Sequence, residues 1–289
     1  MRRDTLLWEF RALLRMPVLE LVTVLFFFVA FSQLFSLGYG IRVMGASSVM
    51  SVEAPMVMSK LLTTLALLRI SEAYFPFMIF AALFCALTFA NEIEKGTMKG
   101  YLSLPVSRAG LFVSKFLAVW VPLTLASSLA LIVSLITLAS TCMEYGSFIR
   151  VALAIFATYA ILGFFLVSIG SLFSIVSKNT YVGIITSFFA FYVIGMLNES
   201  GVDYLPDGVI MSQYLYLAGR STDVAFSSLL VTPVLGVIFF ILGSSTSQGG
   251  LRWDESDSEG VPPDSARLRH GARIHCVQSV RGAGRAAGS

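Results

Sequence analysis

Apolar runs of about twenty residues alternate with short polar interruptions along most of the chain. They fall at about residues 18–37, 73–90, 111–138, 151–176, 181–197 and 224–242. Crossing a hydrocarbon core of about 30 Å takes roughly twenty helical residues. The pattern therefore predicts an all-α integral membrane protein with six transmembrane helices. Residues 177–180 form so short a turn that the fifth run must return antiparallel to the fourth. Pro122 lies inside the third run, which is longer than a crossing needs, and marks a place where that helix can kink. Between the first two runs, residues 38–72 read as a glycine-containing loop followed by a helical stretch over 56–70.

Residues 1–16 follow a different pattern. Leu6, Leu7, Phe10, Leu13 and Leu14 recur at helical spacing, while Arg2, Arg3, Arg11 and Arg15 fall largely on other faces. This is the signature of an amphipathic helix lying in the membrane interface, with Trp8 among the headgroups. Pro17 ends that helix or opens the next. No small-residue cleavage site follows, so the start does not read as a secretory signal. Glu20, near the end of the first run, reads as an interfacial carboxylate.

Composition agrees with the membrane reading. Hydrophobic residues make up 56% of the 289-residue chain and charged residues 13%, with a mean hydropathy of +0.82. A soluble domain carries roughly 25% charged residues. The distribution of basic residues sets an orientation. With the N-terminus inside, the cytoplasmic segments hold Arg2, Arg3, Arg11, Arg15, Lys95, Lys99, Arg108, Lys115 and Lys178, plus the arginines of the tail. The outer loops hold only Arg42, Lys60, Arg69, Arg150 and Arg220. Both termini and the segment after the second run are accordingly expected in the cytoplasm.

From about residue 244 the character changes. The tail, 244–289, has few apolar residues and no periodicity, and reads as disordered. The break is sharp enough to suggest a non-native reading frame or an appended extension. His270, His275 and Cys276 lie together there without metal-site spacing, and Cys85 reads as a small buried hydrophobe.

Several chemistries are missing. The chain has no GxxxxGK[ST] loop to cradle nucleotide phosphates, no HExxH, and no histidine before the tail. Most of the apolar runs carry no ionisable group, which argues against a proton- or ion-coupled carrier and points to energy supplied from elsewhere. Small residues recur instead: Gly163, Ser168, Gly170, Ser171 and Ser174 in the fourth run, and Gly183, Ser187 and Gly195 in the fifth. They read as helix-packing positions. Met44, Met50, Met56 and Met58 could offer soft ligands to Cu(I), but methionine is common in membrane proteins and no metal is expected.

The segment 91–115, NEIEKGTMKGYLSLPVSRAGLFVSK, is the most charged interruption before the tail. Gly96 can supply a backbone turn, and Thr97 can start a short helix over 98–104 that Pro105 stops. Ser107 is placed to N-cap the long helix beginning at Arg108. The result is a short helix across the cytoplasmic mouth of the bundle, a surface suited to a partner protein.

These runs resemble a known family, the permease subunits of ABC-2 type transporters, in particular the six-span, NosY-like branch. The family's E-x-E-x-G-T run is matched by Glu92, Glu94, Gly96 and Thr97, and its Leu-rich turn by Leu102 and Leu104. Its Pro-[Val/Ile]-Ser-Arg run corresponds to Pro105, Val106, Ser107 and Arg108, with Lys115 following. The opening Trp8-Glu9-Phe10-Arg11 and Arg15-Met16-Pro17 is similar to the family's start, with Trp8 where a basic residue is usual. The resemblance covers about residues 1–243, divided into an interfacial helix (1–16) and a six-span permease domain (17–243) whose coupling segment is 91–110.

The resemblance implies a plasma-membrane export permease, not itself an enzyme, that pairs with a second permease copy and docks separate ABC ATPase subunits. ATP and Mg would be bound by that partner, with no cofactor in this chain. Its coupling-helix contacts would be Glu92, Glu94, Gly96, Thr97, Tyr101, Leu102, Pro105 and Arg108, and its interfacial helix would use Trp8, Phe10, Arg11 and Arg15. The residues alone leave open an ATP-independent transporter or channel, and a membrane scaffold or assembly protein. They do not name a cargo.

Overall fold

The structure, a computed structural model, describes residues 11, 20–29, 32, 73–97, 107–139, 145–199, 208–210 and 223–259. The chain divides into two units, Met1–Ser247 and Gln248–Ser289. In the first, the main described helices are α1 (Glu20–Val29), α2 (Ala73–Glu94), α3 (Arg108–Ala139), α4 (Tyr145–Ser177) and α5 (Thr180–Glu199). The last helix, α6, runs Asp223–Glu259. No strand occurs among the described residues.

Among the described residues, four stretches are long and apolar enough to cross a membrane: Ala73–Glu94, Arg108–Ser134, Phe148–Ser177 and Leu229–Ser247. The apolar parts of α1 and α5, Glu20–Val29 and Thr180–Met196, are shorter. The run predicted over 18–37 is thus only partly described. The opening helix apart from Arg11, the stretch 56–70, the methionine group and the segment 98–106 lie outside the described residues.

Large apolar side chains cover the outside as well as the core. On α5, Tyr181, Ile185, Phe189, Tyr192 and Met196 recur at helical spacing and are all at least half exposed. Water would penalise that stripe, at about 25 cal/mol per Å² of apolar surface, and lipid would not. Inside, α4 is the central helix, packed on α3, α5 and the end of α2. One aromatic cluster joins α1, α2 and α4 through Phe26, Phe77, Phe80 and Tyr159, with Phe77 and Tyr159 edge to face at 5.0 Å. A second joins α2, α3, α4 and α6, where Phe116 meets Phe240 at 4.8 Å and Phe164 at 5.4 Å, and Phe89 meets Phe112 at 5.6 Å.

Several buried hydroxyls are satisfied within their own helices, as a bilayer interior favours. Ser128 donates to the Thr124 carbonyl, Thr158 to Ala154 and Ser168 to Phe164. Ser187 instead donates across to the Gly170 carbonyl of α4, and the Thr124, Ser174 and Thr232 hydroxyls have no hydrogen-bond partner among the described residues. The small residues pack as the sequence predicts. A Cβ at Gly163 would stand 2.9 Å from Thr124 Oγ1, and one at Gly170 would stand 2.9 Å from Cys85 Sγ. Gly195 is the exception, with nothing within 4 Å of its Cβ direction. Cys85 is buried on this packing face.

One helix end differs from its apolar run. The sixth run ends near residue 242, yet α6 stays helical to Glu259. Extending a formed helix costs little per residue, and Ser245 and Thr246 hydroxyls bond back to the Leu242 carbonyl. In the second unit, the described residues 248–259 are helical.

Candidate functional site

The end of α2 departs from α-geometry just before its charged residues. Residues Ala86–Ala90 form a π-helical turn, in which the Asn91 N–H donates to the Ala86 carbonyl five residues back. One α-turn follows, Asn91–Glu94, closed by Lys95 N–H to Asn91 O and Gly96 N–H to Ile93 O, each 3.0 Å. Gly96 has φ +69°, the left-handed conformation that ends helices and suits glycine. No atom crowds its Cβ direction, so the requirement there is purely conformational. Thr97 Oγ1 donates to the Glu92 carbonyl at 3.1 Å, folding the turn back on the helix.

Glu92 reaches α3. Its Oε1 accepts from Lys115 Nζ at 2.7 Å, with the lysine side chain 0% exposed and the glutamate 23%. Helical side chains lean toward their own N-terminus. Lys115 sits two turns into α3, so its ammonium is carried back toward the bundle end that holds the charged segment. The other oxygen, Glu92 Oε2, is buried and accepts no hydrogen bond among the described residues.

Glu94 reaches α5. Its Oε2 accepts from the Thr180 N–H at 2.9 Å and the Thr180 hydroxyl at 2.6 Å, and Oε1 from Asn179 Nδ2 at 3.4 Å. The α4–α5 connection is as short as the sequence predicts: Lys178 adopts φ 54° and Asn179 caps the next helix. Asn179 Oδ1 accepts from the N–H groups of Tyr181 (3.0 Å) and Val182 (3.2 Å), and its carbonyl from Gly183 N–H (2.8 Å). Glu94 therefore completes the cap, satisfying the first N–H of α5 and setting a negative charge against that helix's positive end. It lies beyond the apolar run that ends at Ala90 and is exposed. The Thr180 side-chain and backbone hydrogen bonds hold its carboxyl below the usual carboxylate range.

On the far side of the segment, Ser107 is the N-cap of α3 that its position predicts. Its Oγ accepts from Gly110 N–H at 3.3 Å and its carbonyl from Leu111 N–H at 3.0 Å. A Cβ at Gly110 would stand 2.7 Å from that Oγ, so glycine leaves room for the cap.

The structure thus places Glu92, Glu94, Gly96 and Thr97 in one compact turn, with Arg108 at the start of α3. Tyr101, Leu102, Pro105, Trp8, Phe10 and Arg15 lie outside the described residues, while Arg11 is helical and exposed. Sequence reasoning did not find the partners of the two glutamates: Lys115 on α3, and Asn179 with Thr180 on α5. Asn179 between two helical runs was the one available signal, since asparagine is a preferred N-cap. Nothing in ALTFA announces a π-turn. Among the described residues no group of three His, Cys, Asp or Glu side chains could hold a metal ion.

A helical bundle clad in apolar side chains, carrying a braced polar turn at one end, defines a multi-pass membrane protein. The family model for ABC-2 family transporter proteins matches residues 6–244, and the chain belongs to that family. Its members are membrane permeases that typically lack an ATPase domain and work with an ATPase partner. No curated protein and no solved structure matches the chain.

Proposed function

We propose that this chain is the transmembrane subunit of an ABC-2 exporter, powered by a separate ABC ATPase that docks on residues 91–110. In this reading six spans cross the plasma membrane, both termini and the docking segment are cytoplasmic, and two permease copies form the transport unit. ATP and Mg belong to the ATPase. The reading rests above all on the double tether of the segment, by Glu92 to Lys115 on α3 and by Glu94 to the start of α5. A lever must be fixed to what it moves. Force applied to this turn reaches two long helices through a charge pair and a helix cap rather than being lost in a loose loop.

The tether also divides the labour among the predicted contact residues. Glu92 and Glu94 act as positioning residues, while Gly96, Thr97, Tyr101, Leu102, Pro105 and Arg108 form the face offered to the ATPase. ATP-driven closure of the ATPases would press the segments together and tilt the bundles between inward- and outward-facing states.

The test is co-purification. The tagged chain, extracted from its native membranes, should retain an ATPase bearing a GxxxxGK[ST] loop. Tyr101→Asp with Arg108→Glu should release it, with the chain's thermal midpoint measured alongside. Retention through both substitutions refutes the docking face. Solute flux by the chain alone in liposomes without ATP would replace the reading with that of a carrier.

A further inference from the structure

We propose that the π-turn Ala86–Ala90 stores one residue of helical slack, letting the turn at residues 91–96 rotate about α2 between a clamped and a released position. A π-turn closes its hydrogen bond over one residue more than an α-turn. Taking up that residue in α-geometry would rotate everything after it by about 100° and advance it by about 1.5 Å. The placement of contacts suits such a swivel. Interactions that fix α2 in the bundle precede the π-turn, Phe77 on Tyr159 and Cys85 against Gly170, and one lies within it, Phe89 on Phe112 at 5.6 Å, which the swivel must break. The polar clamps follow it: Glu92 on Lys115, and Glu94 on Thr180 and Asn179. The π-turn meets α5 through small groups, with a Cβ at Gly183 standing 3.3 Å from Ala90 Cβ and 3.5 Å from Ala86 Cβ. No bulky side chain is interlocked on that side to stop rotation. Conversion would leave the enclosed Lys115 without its carboxylate, so the clamped position is the resting one and a push is needed to leave it.

Its use in transport rests on the docking reading above, but the device stands on the chain's own geometry and is tested without an ATPase. The full chain in lipid nanodiscs is followed by amide hydrogen exchange. Glu92→Gln with Glu94→Gln should speed exchange over residues 87–96 as one unit by at least tenfold, leaving residues 155–166 of α4 unchanged. Deleting Leu87, the least buried residue of the π-turn, removes the slack and lets the helix run on as α with both flanks in place. In that background the same double substitution should change exchange less than twofold. Acceleration of equal size with and without Leu87 overturns the proposal. Should the deletion prevent folding, the first variant still decides: unchanged exchange, or a rise confined to residues 91–96 that stops short of the π-turn, overturns it equally.

Discussion

The ammonium of Lys115, fully enclosed on α3, lies 2.7 Å from the Glu92 carboxylate at the end of α2. Removing one member of a buried pair strands the other, whereas removing both in favour of apolar groups is far cheaper. Lys115→Met should therefore destabilise the chain by about 3 kcal/mol, toward the lower end of the usual range because Glu92 keeps some contact with solvent. Glu92→Leu with Lys115→Met should come closer to the natural chain than Lys115→Met alone. Thermal unfolding in nanodiscs measures both, and a double variant no more stable than Lys115→Met alone would show that the two residues are not coupled.

The cap on α5 makes a second expectation. Asn179→Ala removes the acceptor for two N–H groups and should cost about 1 kcal/mol, with faster hydrogen exchange at Tyr181 and Val182. Glu94→Gln should also lower the melting point at neutral pH, though less than the loss of Lys115. Because the native carboxyl titrates below its ordinary value, its contribution is complete above that value and fades as pH falls through the lowered one. Melting curves of the natural chain and Glu94→Gln should therefore converge in acid. A gap that persists at low pH would assign the effect to something other than the carboxylate charge.

What could be read in advance was local. Ser107 as a cap, Gly96 as a turn and the tight α4–α5 connection follow from backbone chemistry within a few residues. The apolar runs follow from the solvent they must face. Glu92 and Glu94 were recognised as notable but assigned outward, to a partner protein. Their actual neighbours lie 23 and about 85 positions away in the chain, where periodicity carries no information. The π-turn was invisible for a different reason: its five residues are ordinary helix and membrane formers, and it is held by what surrounds them. Gly195 shows the converse, a small residue that reads as a packing position although a Cβ there would meet nothing within 4 Å.

That contrast among glycines can be measured. Gly170→Ala forces a methyl group to within 2.9 Å of Cys85 Sγ and 3.2 Å of its Cβ in a buried contact. Overpacking of this kind costs about 1–3 kcal/mol. Adding Cys85→Ala removes the nearer atom and should recover part of the loss. Gly195→Ala meets nothing within 4 Å and should be neutral or gain up to about 1 kcal/mol in helix propensity. Equal effects at the two glycines would refute the close-packing reading of the α2–α4 contact.

Membrane topology is decided by the two shorter apolar helices. Among the described residues four helices suffice in length and hydropathy, but the described part of α1, Glu20–Val29, and the apolar part of α5, Thr180–Met196, are shorter. In the proposed topology both cross, which puts Arg11, Lys99 and Lys178 on the inner side and Arg42 and Arg220 outside. Single cysteines at these positions, in a chain with Cys85, Cys142 and Cys276 replaced, can be probed in intact cells with a membrane-impermeant maleimide. Arg42→Cys and Arg220→Cys should label at once, and Arg11→Cys, Lys99→Cys and Lys178→Cys only after permeabilisation. Protection of Arg42→Cys together with Arg11→Cys would mean that the first run does not cross. Labelling of Lys99→Cys in intact cells would be more damaging, because it would put the segment on the side of the membrane where no ATPase could reach it.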